Sequence, residues 1–124
     1  KKVTFLGVSY RGDVGDTRFT PVESLVKLVE DDGGIVKLHD PFVDYWKERN
    51  CYVESDLDSV LRHAPDLVII ATRHSEYARQ ETIIKLLKID PSGIYDTVGL
   101  FDKDQLSVLQ SRHKVSVLGR GDLN

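Results

Sequence analysis

The chain has 124 residues, of which 40% are hydrophobic and 30% charged, and it carries a net charge of -3. This length and composition are typical of one globular domain, and the charge gives no general electrostatic reason to bind nucleic acid or an anionic membrane. A single cysteine excludes an internal disulfide and fits a reducing compartment, so we expect a cytoplasmic protein. No apolar run approaches the roughly 20 residues of a membrane span. Because the chain lacks methionine even at its start, we expect it to be part of a longer protein.

Short apolar runs rich in β-formers alternate with helical patterns along the chain. Six strands are predicted, over residues 3–6, 35–39, 51–53, 66–72, 93–96 and 114–118. The run "LVIIA" in the fourth of them predicts a central strand that is buried on both faces. Alternation of this kind is typical of βαβ units and a parallel sheet.

The first helix has the clearest local signals. Thr20 is the predicted N-cap, Pro21 suits the first helical position, and Glu23 completes a capping box. An apolar stripe follows, and Gly33 with Gly34 ends the helix. The stripe consists of Val22, Leu25, Val26 and Val29. Weaker patterns predict helices over residues 56–63, 80–87 and 104–111.

These elements favour a three-layer α/β/α fold with a Rossmann-like, doubly wound parallel sheet of about six strands. The expected strand order is 3-2-1-4-5-6, because crossovers between parallel strands are right-handed. The order reverses between the first and the fourth strand, and ligands of open α/β sheets bind at that point, beyond the carboxyl ends of the strands. We therefore expect the loops 7–18, 71–77 and 96–101 to converge on one edge of the sheet.

The first of these loops carries candidate ligand-binding residues. Arg11 and Arg18 flank Asp13 and Asp16, and a guanidinium is a planar fork suited to phosphate oxygens. The loop also precedes a helix N-terminus, which favours anions. Two interpretations stay open: at least one arginine contacts a ligand, or both pair with the aspartates. Tyr10 either covers a flat ring of a ligand or packs on the sheet.

Other residues suggest chemistry less specifically. Residues 74–76, "HSE", contain the residue types of a hydrolase triad, but without a G-x-S-x-G motif a role in capping or bracing a loop is favoured. Asp40 either matches the ribose-binding acid of a Rossmann domain or belongs to an Asp-Pro turn. Cys51 is interpreted as a buried small residue and not as a nucleophile. The four histidines show no metal-ligand spacing, and "RGD" at 120–122 is interpreted as a chance match to an adhesion motif.

Four segments carry a resemblance to a known family. They are "FLGVSYRGDVGDTRFTP", "VKLHDPFV", "DLVIIATRHSEY" and "IYDTVGLFD", in this order. Together they resemble the C-terminal, UDP-binding domain of the UDP-glucose/GDP-mannose dehydrogenase family. The resemblance implies a single domain over residues 1–124, part of an enzyme that oxidises the C6 hydroxyl of a UDP-sugar twice, to the uronic acid, with two NAD. In such enzymes an N-terminal Rossmann domain holds NAD, and a central helix supports a homodimer.

The resemblance also implies roles for four positions. Tyr10 takes the place of a common phenylalanine, and Arg11 that of a lysine that contacts the nucleotide sugar. Arg18 matches the arginine of a D-x-R motif, which in relatives reaches across to the NAD. Val98 stands where many relatives carry an arginine that contacts the substrate. Since Cys51 does not match the motif of the family's catalytic cysteine, the chain alone is expected to be inactive.

Two other classes of protein remain open at this point. A stand-alone, regulatory Rossmann-like module would bind a mononucleotide at the same loop without catalysis. A doubly wound interaction domain of the receiver type would need clustered acids at the end of the first strand and a lysine on a later strand, which "FLG" and "IYDTVG" do not provide.

Overall fold

A computed structural model of the chain describes residues 1–118, so the "RGD" tripeptide at 120–122 lies outside the described residues. The strands are β1 (Lys2–Leu6), β2 (Ile35–His39), β3 (Tyr45–Trp46), β4 (Cys51–Tyr52), β5 (Leu67–Ile70), β6 (Gly93–Asp96) and β7 (Lys114–Val117). The α-helices are α1 (Val22–Asp31), α2 (Leu57–Leu61), α3 (Gln80–Lys88) and α4 (Lys103–Gln110), and short 3-10 helices cover Lys47–Arg49 and Ser75–Ala78. None of the helices within residues 1–118 is long and apolar enough to cross a membrane.

The main sheet is parallel, and within residues 1–118 it has five strands in the order β2-β1-β5-β6-β7. The predicted α/β class is confirmed, and so is the position of the fourth predicted strand. β5 lies in the middle of the sheet, where Val68, Ile69 and Ile70 are at most 3% exposed. The order reverses at the boundary between β1 and β5, as predicted.

The third predicted strand, over residues 51–53, was wrongly assigned to the main sheet. Residues 51 and 52 do not join the main sheet but pair antiparallel with Tyr45–Trp46, closing a small hairpin. Asn50, with a φ of 52°, ends the turn of that hairpin and directs the chain back. Only Glu54 reaches the main sheet, as a single parallel bridge to His39 at the edge of β2. Local hairpin pairing therefore replaces the expected third strand at that edge.

The core lies on both faces of the sheet, which confirms the three layers. On one face α1 and the hairpin cover a hydrophobic cluster that includes Phe5, Val26, Trp46 and Ile69. On the other face α2, α3 and α4 cover the larger cluster. Its buried members are Leu6, Leu57, Val60, Leu61, Val68, Ile70, Tyr77, Ile83, Leu86, Ile94, Phe101, Leu106, Leu109, Val115 and Val117. Neighbouring residues of β5 belong to opposite clusters because successive side chains of a strand point to opposite faces.

The start of α1 differs from the prediction in its capping. The Thr20 hydroxyl accepts the N–H of Val22 at 3.3 Å, but Glu23 makes no capping box. Glu23 instead donates its backbone N–H to the Thr20 carbonyl at 3.4 Å, since Pro21 already has helical dihedrals (φ -68°, ψ -14°) and tightens this turn. A full capping box occurs at α4, between Asp102 and Gln105.

Candidate functional site

Three loops meet at the carboxyl edge of the sheet, beside the boundary between β1 and β5. They follow β1, β5 and β6 and comprise residues 7–18, 71–77 and 97–101. The Thr72 hydroxyl of the second loop donates to the Ser9 carbonyl of the first at 2.9 Å, and the Thr97 hydroxyl of the third donates to the Ile70 carbonyl at 2.7 Å. The predicted convergence of the loops is therefore confirmed.

Two glycines allow the first loop to approach the second closely. A Cβ atom at Gly7, whose φ is +104°, would lie 2.4 Å from the Cβ of Thr72. A Cβ atom at Gly12 would lie 2.0 Å from the carbonyl oxygen of Arg73. Since real Cβ contacts are never this short, a side chain at either position would force the two loops apart. The glycines thus serve loop packing where a Rossmann phosphate loop would use them to approach a ligand.

Asp40, directly after β2, holds the first loop in place through its side-chain hydrogen bonds. Its side chain is fully buried. Its Oδ2 accepts the backbone N–H groups of Val8 (2.9 Å) and Ser9 (3.2 Å), the Ser9 hydroxyl (2.9 Å) and Nε2 of His74 (2.9 Å). Its Oδ1 accepts the N–H of Phe42 at 2.8 Å. Burial alone would raise the pKa of Asp40, but these donors hold it below the usual range. With its oxygens engaged in this way, Asp40 acts as a turn and loop anchor and not as a ribose-binding acid.

His74 connects this anchor to the middle of the first loop. Its Nδ1 accepts the backbone N–H of Asp13 at 2.9 Å, so the ring proton is on Nε2, which donates to Asp40. The Asp13 carboxylate in turn accepts the N–H (2.8 Å) and the hydroxyl (3.1 Å) of Ser75. The backbone hydrogen bond from Ser75 is the main reason why the pKa of Asp13 is lowered. The favoured role in bracing a loop is confirmed for His74 and Ser75, because His74 holds the backbone of Asp13 and Ser75 holds its carboxylate.

His39, at the end of β2, is a second buried histidine behind the loops. Its Nδ1 lies 2.7 Å from the Tyr77 hydroxyl, and its Nε2 lies 3.1 Å from the Ser55 carbonyl. A carbonyl oxygen is only an acceptor, so Nε2 carries a proton and donates it to Ser55. Burial lowers the pKa of His39 because it disfavours the charged ring.

Of the predicted site residues, Tyr10 and Arg11 lie exposed on the first loop, and Tyr10 is 57% exposed. Arg18 pairs with Asp16 through two contacts, Nε to Oδ1 at 3.1 Å and Nη2 to Oδ2 at 3.0 Å. This pair lowers the pKa of Asp16 to about 2. The Arg18 side chain is nevertheless 77% exposed and lines a depression of about 280 Å³ together with Phe19, Glu23 and Glu48. The interpretation in which both arginines pair with the aspartates is therefore confirmed for Arg18, whereas Arg11 forms no ion pair within residues 1–118. The Arg18 side chain remains accessible to a ligand.

Val98 lies in the third loop, half-buried, with its side chain against the larger hydrophobic cluster. Its N–H donates to Oδ1 of the buried Asp96 at 3.1 Å, and the N–H of Phe101 donates to Oδ2 at 3.1 Å. Asp96 thus shapes this loop as Asp40 shapes the first. The Val98 side chain packs against this cluster on one side and stays partly exposed.

Arg73 is a residue that the sequence analysis did not single out. Its Nη1 donates to the carbonyls of Val98 (2.9 Å) and Gly99 (2.7 Å) and so joins the second loop to the third. The sequence signal that could have identified Arg73 was its position just after β5, beside the switch point, the boundary between β1 and β5 where the strand order reverses. Cys51 lies away from these loops, half-buried against the cluster under α1. Within residues 1–118 no three His, Cys, Asp or Glu side chains come together as a potential metal site.

A doubly wound parallel sheet with interlocked loops at its switch point defines the chain as a Rossmann-like α/β domain. The chain belongs to the UDP-glucose/GDP-mannose dehydrogenase family, because the sequence model of that family's UDP-binding domain matches residues 4–103. The resemblance found in the sequence is thereby confirmed.

Known proteins of this family are similar along most of the chain. The UDP-N-acetyl-D-mannosamine dehydrogenase of Methanocaldococcus jannaschii is 32% identical over 123 residues, covering 97% of this chain and 27% of the relative. A crystal structure of an NDP-N-acetyl-D-galactosaminuronic acid dehydrogenase from Methanosarcina mazei matches with a TM-score of 0.76 at 24% identity, covering 95% of this chain and 24% of that one. The UDP-N-acetyl-mannosamine dehydrogenase of S. aureus gives 0.65 at 26% identity, covering 92% of this chain and 25% of that one. The chain thus spans about a quarter of the length of these relatives.

Proposed function

We propose that this chain binds the nucleotide end of a UDP-sugar at the carboxyl edge of its sheet, as one domain of an NAD-dependent dehydrogenase. The parent enzyme would oxidise the C6 hydroxyl of the sugar twice, to the uronic acid. The observation that carries the proposal is the meeting of the loops 7–18, 71–77 and 97–101 at the switch point, within the stretch that matches a UDP-binding domain. The relatives, which are dehydrogenases of UDP- or NDP-linked amino sugars by name, support the substrate class.

In this proposal the first loop provides the contacts to the nucleotide sugar. Tyr10 is exposed and offers a flat ring, and Arg11 offers a guanidinium beside it. The hydrogen bonds among Asp40, His74 and Asp13 hold the backbone of the first loop in place. The backbone positions of Tyr10 and Arg11 are therefore set before a ligand binds. A loop held in advance loses little conformational entropy when a ligand binds.

NAD, which accepts hydride in such oxidations, fits the described residues only in part. The exposed guanidinium of Arg18 can reach an anionic group, but Asp16, Glu23 and Glu48 make its surroundings acidic. Asp40, which could have bound a ribose, is buried and engaged by other donors. We therefore assign the main NAD site and the catalytic cysteine to another domain of the parent protein, a homodimer in this proposal, with Arg18 reaching towards the cofactor.

Binding is tested by titrating the 124-residue chain with UDP and following its amide resonances. Residues 7–18 and 96–101 should shift, and the Arg11→Ala variant should bind UDP about ten- to a hundredfold more weakly, as expected for the loss of a charged hydrogen bond worth about 1.5–3 kcal/mol. Lys2→Ala, which removes a cation at the opposite end of β1, is the matched control. Shifts confined to the opposite edge of the sheet would contradict the proposed site.

The roles of the two arginines are separated in the full-length enzyme. Arg11→Ala should chiefly raise KM for the sugar nucleotide, whereas Arg18→Ala should chiefly raise KM for NAD. A lower melting temperature of Arg18→Ala with an unchanged NAD dependence would mean that Arg18 only braces the loop through Asp16.

A further inference from the structure

We infer that Arg73 is a further binding residue of this site, whose guanidinium contacts the diphosphate of the nucleotide sugar. The inference rests on the proposed function, because it assigns a residue to the same site. No role for Arg73 follows from the motifs of the sequence, and the assignment comes from where the fold places its backbone and side chain.

Arg73 is in contact with both neighbouring loops of the site. It lies three residues beyond the end of β5, next to the switch point between β1 and β5. Its carbonyl oxygen lies so close to Gly12 that no Cβ atom fits between them. Its side chain extends the other way, where Nη1 donates to the carbonyls of Val98 and Gly99 at 2.9 and 2.7 Å. A ligand that binds between these loops would therefore meet the Arg73 guanidinium.

Within residues 1–118 the Arg73 guanidinium has unpaired N–H donors and an uncompensated positive charge, both of which a ligand could engage. Both hydrogen bonds of the side chain come from Nη1, and Nε and Nη2 have no partner among residues 1–118. The acceptors are neutral carbonyls, and Arg73 forms no ion pair within this part of the chain, whereas Arg18 is paired with Asp16. A guanidinium held by two carbonyls is already oriented, and its free side matches two oxygens of a phosphate. A diphosphate would supply the missing negative charge.

The test is a UDP titration of the 124-residue chain in four forms: wild type, Arg73→Ala, Arg73→Gln and Arg62→Ala. Arg62 is an exposed arginine at the C-terminal end of α2, so its replacement removes the same charge away from the carboxyl edge. The Kd for UDP should rise about ten- to a hundredfold in Arg73→Ala. It should stay within about twofold of wild type in Arg62→Ala, since distant exposed charges are screened by salt.

Arg73→Gln separates binding from folding. Glutamine keeps an amide donor for the carbonyls of Val98 and Gly99 but removes the positive charge. If Arg73→Ala does not fold, Arg73→Gln decides: a rise of tenfold or more in the Kd for UDP supports the inference, and an unchanged Kd overturns it.

Uridine, which lacks phosphate groups, is titrated beside UDP. Its Kd should be unaffected by the substitutions at Arg73. If uridine and UDP are weakened by the same factor, Arg73 only braces the third loop and the inference is wrong. A wild-type chain that shows no shifts with UDP overturns the proposed function itself, so the two failures are distinguishable.

Discussion

Replacing Asp40 should destabilise the fold more than replacing any exposed aspartate. The carboxylate is fully buried and accepts four hydrogen bonds on Oδ2 and one on Oδ1. In Asp40→Asn the amide oxygen can replace only one carboxylate oxygen. It should take the position of Oδ2, because the alternative leaves four donors unpaired. The amide N–H₂ then faces the N–H of Phe42, and one hydrogen bond to a charged acceptor is lost.

The loss of that bond sets the expected magnitude at about 1.5–3 kcal/mol for Asp40→Asn. Asp40→Ala removes all five acceptor contacts and leaves buried donors unpaired, so its cost should reach about 3–5 kcal/mol. Both values are a large part of the roughly 5–15 kcal/mol by which a domain is stable. Because the pKa of Asp40 is lowered in the folded state, its contribution is present above the ordinary value of 3.8 and is lost as the pH falls through the folded value.

Urea unfolding measures these losses directly. Trp46 is the only tryptophan and is fully buried, so its fluorescence reports the unfolding transition. The control is Asp31→Asn, which removes a carboxylate that is 65% exposed and pairs with Lys27 at 3.4 Å. An exposed pair of this kind is worth about 0–1 kcal/mol. If Asp40→Asn and Asp31→Asn lose the same stability, the Asp40 network does not anchor the loop as described.

Three further changes test other parts of the structure. Burial lowers the pKa of His39 below 6.5, so the free energy of unfolding should fall as the pH drops below 6.5. The fall should be less steep in His39→Gln. Equal pH dependence of the two proteins in urea unfolding below pH 6.5 would contradict this. Gly7→Ala should lower the free energy of unfolding by about 2–5 kcal/mol, because the new Cβ atom meets both a positive φ and the Thr72 side chain. Gly33→Ala should lower it by only about 1–2 kcal/mol, because Gly33 has a φ of +85° but nothing within 4 Å. Equal losses would exclude the close approach of Gly7 to Thr72. Asp102→Ala should cost about 1 kcal/mol by removing the capping box with Gln105, so an unchanged urea midpoint would argue against that cap.

The sequence by itself determined most of the fold. The predicted strands at 35–39 and 93–96 agree with the structure residue for residue, and the other three strands of the main sheet and the helices agree within one or two residues at either end. These elements were predictable because their signals are local: periodic apolar residues, glycines at helix ends and long apolar runs in buried strands. The switch point followed from the same elements, since right-handed crossovers leave few possible strand orders.

Only the tertiary structure decided how the site is built. The predicted strand at 51–53 had the composition of a strand, but its partner is Tyr45–Trp46 and not the main sheet, and pairing between segments is not encoded in either segment alone. Asp40 and His74 stand 34 positions apart, and the side chain of Arg73 reaches 25 and 26 positions along the chain. Such contacts depend on how the loops are brought together in space. Sequence spacing therefore identified the edge where a ligand would bind, while the packing of the loops determined which charges are buried there and which remain free.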